Sequence, residues 1–182
     1  MAGVRAYADG IGLSGDDVCF MASPLAHQTG FMYGLMMPLV LGTRVILQDV
    51  WDATRAWDTI QAERVSFSMG ATPFLADLVS APNAPAPADC RLRKFVCAGA
   101  PIPRVLVQTA TEKLGLGVIA AWGMSECGVV TMTRPDDPPD AAVTALITEL
   151  DRLRSEPISD RELERTKNQF ARDYILGRLT VQ

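Results

Sequence analysis

The chain has 182 residues, of which 48% are hydrophobic, 7% aromatic and 21% charged, and its formal net charge is −4. This composition is typical of a globular domain and excludes a wholly disordered chain. The mild acidity argues against a nucleic-acid-binding protein, whose affinity depends on Lys and Arg side chains that neutralise phosphates. His27 is the only histidine. A zinc site that needs two or more histidines is therefore excluded, and zinc is not an expected cofactor.

Five short apolar runs alternate with helical patterns in the first three quarters of the chain. The runs are typical of buried strands and cover 17–22, 44–48, 66–69, 94–98 and 118–122. The predicted helices between them cover 30–41, 53–64, 73–80 and 103–114. Asp52 is the expected N-cap of the second helix, and Pro73 and Pro103 suit helix starts. Because such strands pair in parallel through right-handed crossovers, the sequence predicts an α/β fold with a layered parallel sheet.

Charge density predicts a domain boundary. Residues 1–139 contain 23 charged side chains, whereas the 43 residues of 140–182 contain 15, so the fraction of charged residues roughly doubles. The change falls at Pro135–Pro139, whose prolines lack amide donors and cannot continue a helix or a central strand. We therefore expect an α/β domain over 1–138 and a separate segment over 139–182.

The pattern after the boundary is helical only. Val143, Leu146, Leu150 and Leu153 recur at helical spacing and form one apolar stripe. Ser159–Glu162 has the form of a capping box, which predicts the start of a second helix. The segment is thus an expected α-helical hairpin. Its apolar face would pack on the α/β core or on a partner chain, and self-association through this tail is one expected form of such packing.

The spacing of the cysteines and the composition of residues 1–12 indicate the cellular compartment. The four cysteines are widely separated, with no C-x-x-C pair, and residues 1–12 lack the basic and then apolar pattern of a signal peptide. A reduced, cytoplasmic setting is the expectation. The longest apolar stretch, residues 30–42, is shorter than the roughly 20 residues that span a bilayer, so no membrane span is expected.

Two clusters of polar and small residues each follow a predicted strand. Ser23–Gly30 contains His27 and is either an ordinary strand-to-helix loop or part of a ligand crevice, since loops at the carboxyl ends of parallel strands line such crevices. Cys97–Pro103 is rich in small residues, which let a ligand approach the backbone closely. The same residues also make ordinary tight connections, so both interpretations stay open.

A third cluster, Trp122–Glu126, follows the last predicted strand. Its carboxylate could hold Mg²⁺, a hard cation that prefers oxygen ligands. A carboxylate at a buried strand end is costly without a charged partner, and this cost favours a site at Glu126. The alternative is a simple turn. Because all three clusters follow strands of one sheet, their convergence is a stronger indication of a site than any one of them.

In this order, the segments ASPLAHQTG, CAGAPIP and AWGMSE resemble the motifs of the adenylate-forming acyl-CoA synthetase superfamily, over about residues 3–138. In that family ATP and a carboxylic acid form an acyl-adenylate, which CoA then attacks. The resemblance implies an acid–thiol ligase that uses ATP, Mg²⁺ and CoA, with a small-molecule carboxylic acid and a nucleotide as its ligands.

The resemblance also implies roles for individual residues. Trp122 would occupy the aromatic position that stacks on adenine, and Ser125 the position of the phosphate-contacting threonine. Glu126 would be the Mg²⁺-associated glutamate, and His27 would lie beside the acyl carboxylate. The remaining residues expected along the nucleotide and acyl pocket are Gly99, Ala100, Pro101, Gly123 and Met124.

Parts of the family pattern are missing from the sequence. The Gly/Ser/Thr-rich phosphate loop that ends in Lys-Gly is expected upstream of Met1, and the ribose-binding aspartate, the hinge and the catalytic lysine are expected after Pro138. Phosphoryl chemistry depends on positioning and charge neutralisation. A truncated synthetase core with little or no activity is therefore expected. The alternative is a non-catalytic fusion or interaction protein whose tail packs on the core or on a partner chain.

Residues from about 140 to 182, which end in DRLRSEPISDRELERTKNQFARDYILGRLTVQ, are similar to the C-terminal helical segment of insulinase-type (pitrilysin-family) metallopeptidase domains. The zinc motif of that family, His-x-x-Glu-His, needs histidines that this sequence lacks, so no peptidase chemistry is expected. A fusion or a mis-assembled reading frame is the simplest account of the two resemblances, and natural domain accretion is the other.

Overall fold

The computed structural model of the chain describes residues 2–134 and the single positions 137, 155, 164, 167 and 168. The chain divides into two units, Met1–Ala142 and Val143–Gln182, and every element below belongs to the first. The helical hairpin predicted over 139–182, and the insulinase-like segment over about 140–182, lie outside the described residues except at four single positions. Both stay predictions.

The core of the fold is a six-stranded sheet. Its strands are β1 Val18–Met21, β2 Arg44–Leu47, β3 Phe67–Gly70, β4 Lys94–Cys97, β5 Gly117–Met124 and β6 Gly128–Met132. The spatial order is β2–β1–β3–β4–β5–β6. Strands β1 to β5 are parallel, whereas β6 is antiparallel to β5. The prediction of an α/β fold with a layered parallel sheet is confirmed for the five predicted strands, β1 to β5. Strand β6, which the sequence did not predict, returns through a tight turn and adds an antiparallel edge.

Helices cover both faces of this sheet. They are α1 Ala2–Gly10, α2 Met37–Leu41, α3 Ala53–Ala62, α4 Thr72–Ser80 and α5 Arg104–Leu114, together with a π-helix over Gly30–Met36 that continues into α2. The predicted helices over 53–64, 73–80 and 103–114 are confirmed. The predicted helix over 30–41 is present, but most of it is π-helical. Strand β6 and helix α1 were not predicted from the sequence.

Local sequence signals account for the helix ends. Asp52 caps α3, and its carboxylate accepts a hydrogen bond from the Arg55 backbone N at 2.8 Å. Pro73 lies in the first turn of α4, and Pro103 is the N-cap residue of α5. Helix α5 ends at Gly115, whose φ of 64° is in the left-handed region that glycine adopts without strain.

Each face of the sheet has its own apolar core. The α3–α5 face contains, among its largest buried side chains, Phe20, Trp57, Ile60, Leu75, Leu78, Phe95 and Leu114. The opposite face, which we call the α1–α2 face, includes Tyr7, Ile11, Cys19, Met21, Tyr33, Met37, Phe67, Met69, Val96 and Ile119. All four residues of β3 are buried, as expected for a central strand covered on both faces.

The parallel arrangement brings the carboxyl ends of the strands to one edge of the sheet. The loop after β1, the loop after β4 and the end of β5 therefore meet there, and this edge carries the candidate site. Within the part of the chain that the structure describes, no helix combines the length and apolar composition that crossing a membrane requires.

Candidate functional site

Two adjoining cavities lie at the carboxyl edge of the sheet. The larger has a volume of about 240 Å³ and the smaller about 140 Å³. His27, Thr29, Ala98 and Gly99 line both cavities, so the loops after β1 and β4 form the wall between them. The three sequence clusters thus come together as predicted, since the smaller cavity is also lined by residues 123–125.

Close packing of glycine shapes the loop that carries His27. A Cβ atom on Gly30 would lie 2.1 Å from the carbonyl oxygen of Pro24, a distance that real Cβ atoms do not show. Only glycine lets the π-helix start against this loop. The His27 backbone N donates to the same Pro24 carbonyl at 2.9 Å, which closes the loop into a turn.

The imidazole of His27 is oriented by its own loop. The Thr29 backbone N donates to His27 Nδ1 at 3.2 Å. A neutral ring that accepts at Nδ1 carries its proton on Nε2, so Nε2–H is a donor. His27 is exposed at the cavity wall, and it can therefore offer one hydrogen bond to an oxygen atom of a ligand.

The loop after β4 offers open space beside its backbone. Gly99 has a φ of 82°, and a Cβ at this position would have no atom within 4 Å. The loop is held from α4, because the Thr72 hydroxyl donates to the Pro101 carbonyl at 3.1 Å. Ala100 and Pro101 are exposed beyond Gly99. They do not belong to the residues lining these two cavities, although the resemblance placed them beside the pocket.

Cys97 is a structural residue of this loop. Its Sγ lies 3.6 Å from Thr72 Oγ1. Because the single hydroxyl proton of Thr72 is donated to Pro101, the thiol is the donor to Thr72. Burial raises the pKa of the Cys97 thiol. A buried, protonated thiol of this kind is a poor nucleophile.

The third cluster forms the end of β5 and the turn into β6. Cys127 N donates to the Met124 carbonyl at 3.2 Å, which closes a turn with Ser125 and Glu126 at its centre. Gly123 must be glycine, because a Cβ there would lie 2.1 Å from the Gly128 carbonyl oxygen. Gly123, Met124 and Ser125 line the smaller cavity.

Two expectations about this cluster need correction. The strand pattern predicted a buried Trp122, but its side chain is 46% exposed on the β5–β6 hairpin. Glu126 was expected at a buried strand end, but it is exposed on the turn. Burial therefore gives no argument for a charged partner at Glu126. Neither residue is among those lining the two cavities just described.

Several lining residues were not singled out from the sequence as site residues. Met69 and Val129 line the smaller cavity, and Gly70, Ala71 and Phe74 line the larger one. Met69 and Gly70 end the central strand β3, so their position at the carboxyl edge was the available signal. Val129 belongs to β6, and its contribution depends on the antiparallel return that the sequence did not indicate.

Comparison with known protein families matches residues 1–149 to the family described as AMP-binding enzyme. This chain belongs to the AMP-binding enzyme family. A curated relative, the medium-chain fatty-acid–CoA ligase of Escherichia coli, is 32% identical over 139 residues, which is 76% of this chain and 24% of the relative. The chain thus spans about a quarter of the length of the curated relatives that it matches.

Solved structures of adenylate-forming enzymes share the fold of this family member. The o-succinylbenzoate coenzyme A synthetase of Bacillus subtilis, in complex with ATP and magnesium ion, superposes with a TM-score of 0.66 at 24% identity, covering 74% of this chain and 28% of that one. A benzoate CoA ligase of Burkholderia xenovorans superposes with a TM-score of 0.65 at 25% identity, covering 73% of this chain and 29% of that one.

Two features at this edge of the sheet suit an adenine nucleotide and Mg²⁺, namely the open backbone at Gly99 and the carboxylate of Glu126. The open backbone at Gly99 suits the close approach of a phosphate or a sugar. In the described part of the chain no group of three or more His, Cys, Asp or Glu residues forms a metal cluster. Mg²⁺ bound to a nucleotide needs only one or two protein carboxylates beside the phosphates, and Glu126 can supply one.

Proposed function

We propose that this chain forms the acyl-adenylate-binding part of an AMP-forming carboxylic acid–CoA ligase. The observation that carries the proposal is the pair of cavities that share His27 and Gly99. An acyl-adenylate has an apolar part and a phosphate-bearing part joined at one carbonyl. Two cavities that meet at a hydrogen-bond donor suit such a ligand.

The larger cavity is the proposed acyl site. Its wall includes Pro24, Ala71, Phe74 and Ala98, and no Asp, Glu, Lys or Arg side chain is among the described residues that line it. Such a surface favours an apolar acyl group, because burial of apolar area drives its binding. The similarity to a medium-chain fatty-acid–CoA ligase supports a fatty acid as the substrate.

The smaller cavity is the proposed site of the adenylate phosphate. Gly99, Gly123 and Ser125 line it, and together they provide open backbone and a hydroxyl that can donate to phosphate oxygens. His27 lies between the two cavities, and its Nε2–H would bind an oxygen of the acyl carboxyl group. Trp122, half-exposed on the neighbouring hairpin, would stack on adenine.

Mg²⁺ and CoA complete the proposal. Bound Mg²⁺ would neutralise charge on the nucleotide phosphates. Glu126 would hold it as a single carboxylate beside those phosphates, and CoA would be the acyl acceptor. The four cysteines are free thiols, three of them buried, which favours a reducing, cytoplasmic location as part of the proposal.

The 182 residues by themselves are proposed to bind ligand without completing the reaction. The sequence contains three lysines, Lys94, Lys113 and Lys167, and none precedes a glycine as in the phosphate loop of the family. Lys94 donates its Nζ to the carbonyls of Ile11 and Gly12 at 2.7 and 2.9 Å, so it has a structural role. No CoA thioester is therefore expected from this chain alone.

Calorimetric titration tests the proposal. The probes are a non-hydrolysable fatty acyl-adenylate mimic, AMP, and ATP with Mg²⁺. We expect the acyl-adenylate mimic to bind more tightly than AMP, because it occupies both cavities. Absence of binding by the mimic would overturn the proposed function, and formation of CoA thioester by the purified chain would overturn the expected lack of activity.

Replacement of Glu126 tests the proposed Mg²⁺ contact. Glu126→Gln keeps the shape and removes the charge, so affinity for ATP with Mg²⁺ should fall by about 1.5–3 kcal/mol, the usual size of a charge-assisted contact. Glu112→Gln is the matched control, since Glu112 is an exposed glutamate of α5. Equal affinity in the two variants would remove Glu126 from the site.

The alternative function, a non-catalytic interaction protein that acts through the helical tail, rests on residues outside the described ones. Size-exclusion chromatography with light scattering separates it from the ligase proposal. A dimer whose stability does not change with nucleotide supports the alternative. A monomer that ATP stabilises against heat counts against it.

A further inference from the structure

The β5–β6 hairpin supplies five of the eleven described residues that line the smaller cavity, and its two ends are held differently. At its base, Thr133 N donates to the Ala120 carbonyl at 2.9 Å, and Ala120 N donates to Thr133 Oγ1 at 3.0 Å. Near its tip, the partner comes from a distant part of the chain. The backbone N of Val129 donates to the Tyr33 hydroxyl at 2.8 Å.

Tyr33 lies in the middle of the π-helix that follows the His27 loop, and it is 3% exposed. Its ring packs against the ring of Tyr7, with 4.4 Å between the centroids. The phenol is therefore held on its apolar side by α1, while its hydroxyl reaches the hairpin. The π-helix begins at Gly30, whose close packing against Pro24 fixes the same loop that carries His27.

Gly128 shows how closely the hairpin tip packs on this helix. Its φ is 77°, and a Cβ there would lie 3.0 Å from the Tyr33 hydroxyl oxygen and 3.2 Å from Gln28 Nε2. Two side chains of the segment that follows β1 thus contact the hairpin at the residue just after its turn. Ser125, in that turn, and His27 line the same 140 Å³ cavity.

We propose that Tyr33 is a positioning residue, which holds the β5–β6 hairpin at a fixed distance from His27 and thereby sets the affinity of the site for an acyl-adenylate. This inference rests on the proposed function. Tyr33 does not line either cavity described above, so it acts through Val129 and Gly128. Without its hydroxyl, the Val129 N–H loses its partner and the hairpin tip is free to move away from His27.

The test compares Tyr33→Phe with Tyr7→Phe. Both variants remove one buried hydroxyl and keep the ring, and the Tyr7 hydroxyl donates to Met69 Sδ at 3.3 Å rather than to the hairpin. Loss of one buried hydrogen bond should lower Tm by about 2–4 °C in each. Affinity for a non-hydrolysable acyl-adenylate mimic should fall about tenfold in Tyr33→Phe, because a tenfold change corresponds to roughly the free energy of one hydrogen bond. In Tyr7→Phe the affinity should fall less than about twofold.

Hydrogen exchange gives a second readout that does not need a ligand. The Val129 amide should exchange about tenfold faster in Tyr33→Phe, with one hydrogen bond lost. The Ile119 amide, in the part of β5 paired with β4, should keep its rate. Tyr7→Phe should leave both amides unchanged.

The outcomes separate this inference from the proposed function. Equal loss of affinity in the two variants, or a Val129 amide that stays protected in Tyr33→Phe, overturns the positioning role of Tyr33 but not the proposed function. A wild-type chain that binds no acyl-adenylate mimic, but whose Val129 amide responds to Tyr33→Phe, overturns the proposed function and leaves Tyr33 with a structural role only.

Discussion

The two faces of the sheet differ in what their cores contain. On the α3–α5 face, three regular α-helices bury large apolar side chains such as Trp57, Leu75 and Phe95. On the α1–α2 face, a π-helix replaces part of the expected α-helix, and two tyrosines place their hydroxyls in specific hydrogen bonds. The first face stabilises the fold, and the second also positions the His27 loop and the hairpin. Stability and ligand binding should therefore respond to different substitutions.

The largest effect on stability is expected from Trp57→Ala on the α3–α5 face. Trp57 is 1% exposed, and its Nε1 donates to the Leu78 carbonyl at 2.8 Å. Loss of the indole should cost about 3–5 kcal/mol in the free energy of unfolding, measured by urea denaturation. Trp122→Ala is the comparison, because half-exposed Trp122 should lose less than about 1 kcal/mol while adenine-nucleotide affinity falls. The reverse pattern would contradict the division between residues that stabilise the fold and residues that bind the nucleotide.

Gly30→Ala should affect both properties, because Gly30 joins the His27 loop to the π-helix. The added Cβ would meet the Pro24 carbonyl, so the backbone must shift at a cost of about 3 kcal/mol. Binding of an acyl-adenylate mimic should be lost as His27 moves. Gly3→Ala is the control, since a Cβ on Gly3 would have no atom within 4 Å. If Gly30→Ala binds the mimic like the wild type, the loop is not held by this contact.

Alkaline pH should destabilise the α1–α2 face through Cys19. Burial raises the pKa of this thiol from 9.0 to about 12. Because the pKa is higher in the folded state, the contribution of this thiol to the free energy of unfolding is fully present below pH 9 and is lost as the pH rises towards 12. By linkage, the loss from this one group should reach about 2 kcal/mol near pH 10.5. The free energy of unfolding, measured by denaturation at several pH values, should fall less steeply with rising pH in Cys19→Ala than in the wild type. An unchanged slope would exclude Cys19 as the source of this pH dependence.

The smallest expected effect is that of Asp52→Ala, at the start of α3. The variant removes the cap on the Arg55 amide and should cost about 1 kcal/mol. Ligand affinity should not change, since Asp52 is on the α3–α5 side and is not among the cavity-lining residues. Asp52→Asn should restore most of the stability, because asparagine is also a good N-cap. A drop in affinity would show that the two faces are not independent.

Local signals in the sequence accounted for most of the fold. Apolar runs of strand length identified β1 to β5, and helical spacing with caps such as Asp52 identified α3 to α5. These signals act over a few residues and can be seen without the fold. The same reasoning brought the His27, Gly99 and Ser125 segments to one edge, because parallel strands place their carboxyl ends together.

Exposure of side chains was less predictable than the elements that carry them. Trp122 continued an apolar run that read as a buried strand, yet the antiparallel pairing of β5 with β6 leaves it half-exposed. Glu126 followed that strand directly, but the turn places it at the surface. Burial depends on what covers a strand, and the residues that do so are distant in sequence.

Local patterns in the amino-acid sequence account for the alternation of strands and helices, the family motifs and the three segments of the candidate site. The antiparallel return of β6, the π-helix and the contact between Tyr33 and Val129 depend instead on tertiary packing. That hydrogen bond joins residues separated by 96 positions. No local pattern encodes such a contact, because its energy depends on the packing of α1, the π-helix and the hairpin against one another.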